Sequence, residues 1–291
     1  MAVIAEVLAE VGQVPDLTDD CALGPPDAVL LTTDTLVEGV HFDLSRDSLM
    51  EVGAQAAVAN LSDLAASGGA ARWLLWALCL PAGFAPAHVR ALATGFAQVA
   101  ARHGAQVLGG NLSRTPGPLV IAVTAGGALL GAAPWRRAGA RLGDVVYLTG
   151  VVGDAALGWQ HPQPATHAAR HAWRPHLAEA AELARWGHVH AALDISDGLL
   201  IDADRLARAS GVHLALASAR VPVSALYHHI HGAQRMPAMT GGEDYVLLFT
   251  GPAEPPPPVG IAIGRCLAGR GLSLDGRPIE AAGHDHFGVH S

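Results

Sequence analysis

The chain has 291 residues, of which 51% are hydrophobic and 15% charged, with a formal net charge of −8. That length predicts two domains, the apolar content excludes disorder, and the negative charge argues against nonspecific binding to nucleic acid. All 18 basic residues are arginine, which removes a P-loop lysine, a Schiff-base lysine and a lysine general base, so any phosphate chemistry must rest on arginine, metal and backbone amides.

The opening "MAVIAEVLAEVG" carries Glu6 and Glu10 and no basic region, so it does not read as a signal peptide. Cys21, Cys79 and Cys266 are odd in number and widely spaced, which predicts no disulfide framework and a reducing, cytoplasmic setting. An acidic loop with Asp16, Asp19 and Asp20 precedes a strand at residues 28–33. A helix is predicted from about Ser48, ending at Gly68 and Gly69 and buried on every side from Val52 to Ala66. "RWLLWALCLP" reads as a buried strand, "PAHVRALATGFAQVAARHG" as an amphipathic helix, and "AQVLGGN" as a short strand running into a glycine turn.

Between Arg114 and Arg136 there is no charged residue. Gly126, Gly127, Gly131 and Pro134 punctuate that stretch, which predicts two core strands joined by a glycine turn rather than a membrane span. Residues 131–140 are the expected boundary between domains at 1–131 and 132–291. Beyond it, "GDVVYLTG" is a strand, "VVGDAALG" a turn into a helix, and residues 160–178 a His- and Pro-rich surface loop. "HAALDISDGLLIDADRLARASG" reads as strand, turn and helix, with Asp197 suited to cap the helix and Gly211 to end it. "AMTGGEDYVLLFT" is a glycine turn feeding a strand, and "PAEPPPPVG" a rigid spacer.

Several apolar segments deliver oxygen ligands: Asp19–Asp20, Thr32–Thr33–Asp34, Asn60–Asp63, Asp194–Asp197 and Glu243–Asp244. Singly, each reads as a turn or a cap. Asp63 does not, because it lies inside an apolar helix where an uncompensated carboxylate is strongly disfavoured. Either an arginine or a cation must meet it, and hydroxyls with carboxylates favour a hard cation, magnesium before zinc. "LGGN" at 108–111 and "TGVVGD" at 149–154 are candidate phosphate cradles. The sixteen histidines, including His167 with His171 and "HHIH" at 228–231, read mostly as solvated loop residues. His41 stands apart, because it follows the oxygen-rich strand end and can face a bound anion.

"DLTDDCAL", "TTDTLVEGVHF", "NLSDLAASG", "LGGN", "GDVVYLTGVVGDAALG", "LDISDGL" and "GGEDYVLLFT" occur in an order and spacing that resembles the thiamine-monophosphate kinase family over nearly the whole chain. The resemblance implies an α/β (α+β), two-domain fold of the aminoimidazole-ribonucleotide synthetase type, with N-terminal strands forming a barrel across a homodimer. It implies transfer of the ATP γ-phosphoryl group to thiamine monophosphate, with no nucleic-acid or membrane partner. Catalysis would fall to Asp34, Asp63 and Asp194. Several magnesium ions would lie on Asp20, Thr32, Thr33, Asp34, Asp63, Asn111, Asp194 and Asp197. Gly110, Asn111, Arg137 and Ser196 would contact ATP, and His41 and Glu243 the thiamine phosphate.

Two positions depart from the family pattern. Asn111 stands where the family has Asp, and Ala281 stands where an aromatic precedes the final glycine by two places. These substitutions keep two other readings open: a nucleotide-binding relative with impaired catalysis, and a superfamily enzyme with another acceptor.

Overall fold

The computed structural model describes residues 22–24 and 29–284. Asp16, Asp19, Asp20 and Cys21 therefore lie outside the described residues. Two sheets organise the rest. The first holds β1 (Ala22–Gly24), β2 (Val29–Val37), β3 (Gly69–Pro81), β4 (Gln106–Thr115) and β5 (Val120–Leu129), in the order β1-β2-β5-β3-β4. Between its strands run α1 (Leu49–Ala66) and α2 (Pro86–Arg102).

The start of α1 is written locally. The Glu51 N–H donates to Ser48 Oγ at 3.3 Å, and the Ser48 N–H donates to Glu51 Oε2 at 2.8 Å, a reciprocal cap that satisfies two donors of the first turn. Thereafter the helix is buried nearly all round, as its sequence predicts.

The second sheet contains β6 (Val145–Leu148), β7 (Ala191–Asp194), β8 (His213–Leu216), β9 (Leu247–Gly251), β10 (Ile261–Leu267), β11 (Gly271–Leu274) and β12 (Arg277–Pro278). Its order is β12-β11-β8-β10-β6-β9-β7. With it go α3 (Asp154–Gln160), α4 (Pro164–Arg170), α5 (Leu177–Trp186), α6 (Leu199–Ser210), α7 (Ala225–His231) and α8 (Met236–Thr240). Among the described residues, no helix is long and apolar enough to cross a membrane.

Three expectations are corrected here. Residues 120–129 form one strand, not two joined by a turn. Gly126 lies within it because a Cβ there would stand 2.2 Å from the Trp73 indole; the glycine admits a neighbouring ring rather than a reversal. Second, "LGGN" is the middle of β4, not a turn. Third, residues 160–178 are not a surface loop: they hold α4, and Thr166, Arg170 and His176 are buried.

His176, at the start of α5, illustrates what the loop reading hides. Its Nδ1 lies 2.9 Å from Thr149 Oγ1. Burial pulls its pKa down to about 4, against the pull of Glu179. The unfolded chain therefore binds this proton more tightly, so the contribution of neutral His176 is complete above pH ~6.5 and is lost as pH falls toward ~4. Replacing His176 by Asn, which tolerates the positive φ of 46°, should reduce the stability lost across that window by about 3 kcal/mol. Urea midpoints of both proteins at pH 7 and pH 4.5 check this; parallel pH profiles would contradict it.

Candidate active site

The strand period decides which oxygens of β2 meet. Residues two apart share a face, so Leu30, Thr32, Asp34 and Leu36 point one way and Thr33 the other. Thr32 Oγ1 donates to Asp63 Oδ2 at 2.5 Å, joining β2 to α1. The Thr33 hydroxyl instead donates to the Val123 carbonyl at 2.9 Å and lies 3.3 Å from Thr124 Oγ1. The expected three-oxygen corner is thus Thr32 and Asp34, with Thr33 bordering it by position.

Asp194 arrives from the other sheet, at the end of β7, and is buried. The Ser62 hydroxyl, one residue before Asp63 on α1, donates to Asp194 Oδ2 at 2.6 Å. Adjacent residues of one helix therefore tie carboxylates to both sheets. Thr32, Thr33, Asp34, Asp63, Arg137, Asp194, Ser196 and Asp197 all line one cavity of about 230 Å³. Among the described residues, its side-chain donors include hydroxyl and carboxylate oxygens and no histidine or cysteine, which suits a hard divalent cation. Ser62, which does not line the cavity, would orient Asp194 from behind.

Asp197 has a competing partner. Arg205 Nη1 lies 2.5 Å from Asp197 Oδ2 and 2.7 Å from Asp202 Oδ1. Nor does Asp197 cap α6. Asp202 Oδ2, from within the helix, instead accepts the N–H groups of Asp197 and Gly198 just before it, both at 3.1 Å. Burial pushes the Asp202 carboxyl up to about 7, although Arg205 pulls the other way.

The candidate cradle at 149–154 is filled by the chain itself. Gly153 adopts φ +96°, and its N–H points at both carboxylate oxygens of Asp244, each at 2.9 Å. This turn caps a half-buried acid, not a phosphate.

A larger cavity of about 520 Å³ adjoins the first, sharing Asp34, Ser196, Asp197 and Tyr245 with it. His41, Trp159, Glu243 and His284 also line it. His41 Nδ1 accepts the Val37 N–H at 3.0 Å, which turns the ring's other nitrogen away from the backbone. Glu243 and Tyr245 both hold positive φ, 67° and 54°, an uncommon conformation for non-glycine residues and one that clusters at functional sites. Burial raises the Glu243 pKa. Three groups steady its carboxylate: Gln55 Nε2 at 2.7 Å, Trp159 Nε1 at 3.1 Å and Arg170 Nε at 3.8 Å.

Arg170 is the hub behind this cavity. Its guanidinium forms a two-pronged pair with Asp47, both side chains at most 2% exposed, and lies 3.7 Å from the centroid of the Trp159 ring. His171 Nε2 approaches Asp47 Oδ1 at 3.1 Å, and His167 Nε2 approaches Glu51 Oε1 at 3.0 Å. Asp47, His167 and His171 are close enough to suggest a metal group, but Arg170 already supplies the positive charge at Asp47.

Gly110 and Asn111 are not brought to this site within one chain. Asn111 on β4 lies opposite Ala77, Ala77 opposite Ala122, and Ala122 opposite Thr35, so about 14 Å of sheet separates Asn111 from β2. Asp20 lies outside the described residues. Gln55, Trp159, Arg170 and Tyr245 were missed by sequence reasoning. Only Gln55 left a signal, as a polar amide within an apolar helix.

The first part of the chain, residues 18–129, matches the family model for AIR synthase related protein, N-terminal domain. Thiamine-monophosphate kinase of Aquifex aeolicus is 35% identical over 280 residues, covering 89% of this chain and 88% of that protein. The Mycobacterium tuberculosis enzyme of the same name is 34% identical, covering 86% and 78%. Among solved structures, AaThiL complexed with AMPPCP and TMP superimposes with a TM-score of 0.89 at 32% identity, covering 98% of this chain and 96% of that one.

Proposed function

Because this chain belongs to the thiamine-monophosphate kinase family and is therefore a phosphotransferase, we propose that it passes the γ-phosphoryl group of ATP directly to the phosphate of thiamine monophosphate. The observation that carries the proposal is the convergence of Asp34, Asp63 and Asp194, from both sheets, on a cavity continuous with a second one large enough for an organic acceptor. The AMPPCP and TMP held together by the similar AaThiL support the same pair of ligands here.

Thr32, Asp34, Asp63, Asp194 and Asp197, joined by Asp20, would hold magnesium. Bound there, magnesium supplies charge neutralisation between two anionic phosphates. The chain's own residues do the rest. Arg137 and Ser196 hold ATP from the small cavity, while His41 and Glu243 hold the acceptor in the large one. An oxygen of the acceptor phosphate forms a bond to the γ-phosphorus as the bond from that phosphorus to the β–γ bridging oxygen breaks, and ADP leaves. The attacking oxygen is already ionised at neutral pH, so no general base is required, in keeping with a chain that has no lysine.

The division into domains 1–131 and 132–291 and the dimeric barrel are part of this reading. Leu108 and Leu112 of the edge strand β4 are 55% and 64% exposed, an apolar edge that a monomer would leave open to aggregation. In the barrel, β4 would carry Gly110 and Asn111 to the site of the partner subunit rather than their own. Replacing Leu112 by Arg should shift the protein from dimer to monomer in light scattering and reduce activity with it; an unchanged mass would contradict the interface.

The reaction is tested by incubating the protein with ATP, magnesium and thiamine monophosphate and separating the products. Thiamine diphosphate and ADP should appear in equal amounts and vanish with EDTA. ADP formed without thiamine diphosphate would overturn the acceptor assignment.

A further inference from the structure

We infer that Trp159 is the aromatic platform on which the ring system of the acceptor stacks, an inference that rests on the thiamine monophosphate reading above. The last described residues of the chain dock at the large cavity. The His284 N–H donates to the Asp197 carbonyl at 2.8 Å, Gly283 packs against Ile201, and both residues line the large cavity. Ala281, just before them, offers only a methyl group.

Among the described residues, four that bear rings line that cavity: His41, Trp159, Tyr245 and His284. Tyr245 is 6% exposed and packed within the core of the first sheet, edge-on to Trp173 at 6.5 Å. The His41 ring is turned by its bond to Val37. Trp159, in the last turn of α3, is the largest of the four and keeps a partly exposed indole.

The indole is also held still. Its N–H donates to Glu243 Oε2 at 3.1 Å, and the Arg170 guanidinium rests on it at 3.7 Å. The Arg46 guanidinium is farther, 5.7 Å from the centroid, and well exposed. A ring fixed at its edge and braced on a face loses little freedom when a ligand stacks on it. The ligand chemistry fits. Thiamine carries flat aromatic rings, and an indole offers the largest aromatic surface on which such a ring can stack.

Steady-state kinetics of wild type, Trp159→Leu and Trp159→Phe test the inference. The Leu variant should raise KM for thiamine monophosphate about ten-fold, with KM for ATP changed less than about two-fold. The Phe variant, which keeps a ring but loses the indole N–H, should stay within about three-fold of wild type. If Trp159 served only to position Glu243, Phe would be as defective as Leu, and that result overturns the platform. Unchanged KM in the Leu variant overturns it too.

Should the Leu variant fail to fold, fluorescence decides the matter. Thiamine monophosphate should quench tryptophan emission in wild type and much less in Trp159→Phe; equal quenching in both contradicts the inference. A wild-type protein that forms no thiamine diphosphate would sink the underlying reading as well. An active wild type with an insensitive KM would sink the platform alone.

Discussion

Replacing Asp63 by Asn should lower kcat by roughly a thousand-fold, because several kcal/mol of charge stabilisation depend on a carboxylate at that position. The fold should survive. Asn has the same shape, its amide oxygen can still accept the Thr32 hydroxyl that now sits 2.5 Å from Asp63 Oδ2, and the apolar packing of α1 is untouched. Kinetics paired with a thermal melt separate the two effects. Activity close to wild type with an unchanged melting temperature would remove Asp63 from the metal set. A melting temperature lower by many degrees would instead make it a structural acid, tied to Thr32 for the sake of packing.

Replacing Arg170 by Leu should cost about 3–5 kcal/mol of stability, the usual penalty for stranding one member of a buried ion pair. Both side chains of the pair with Asp47 are at most 2% exposed. Arg170 also pulls against the burial that raises Glu243. Without the guanidinium, Asp47 keeps only its bond from the Asp43 N–H at 2.9 Å and its approach to His171 at 3.1 Å, few partners for a carboxylate buried this deeply. For a chain of this size the loss corresponds to a fall in melting temperature of roughly 10 °C. A variant that melts within a degree or two of wild type would show that the remaining partners satisfy Asp47 without Arg170.

Asp63 was legible because it interrupts an apolar helix, where a charge needs a reason. Asp34 and Asp194 read singly as turn or cap residues and stood out only together, as oxygen ligands at the ends of apolar segments; all three line one cavity. What remained hidden depends on contacts between residues far apart in sequence. Nothing near Arg170 in the chain reveals that Asp47, 123 positions away, will bury it, so residues 160–178 read as a polar loop.

Glycine misled in two ways. Gly126 makes room for Trp73 inside a strand, and Gly153 turns the chain around Asp244; both resemble loop glycines when seen without their neighbours. Thr33 shows a third limit. The period of a strand was available, but the run of oxygens suggested a shared corner, and alternation sends its hydroxyl to Val123 instead. The separation of Asn111 from the acids follows from strand order, which is a property of the whole sheet and of no local motif.

The central claim is that acids from both sheets hold the cations across which one phosphate is passed to another. Its most direct test is the rate of thiamine diphosphate formation as free magnesium is titrated at saturating ATP and thiamine monophosphate. The site described here predicts no product without magnesium and a dependence steeper than first order, because ions beyond the one carried by ATP are needed. Turnover that continues in EDTA, or no thiamine diphosphate at any magnesium concentration, would contradict it.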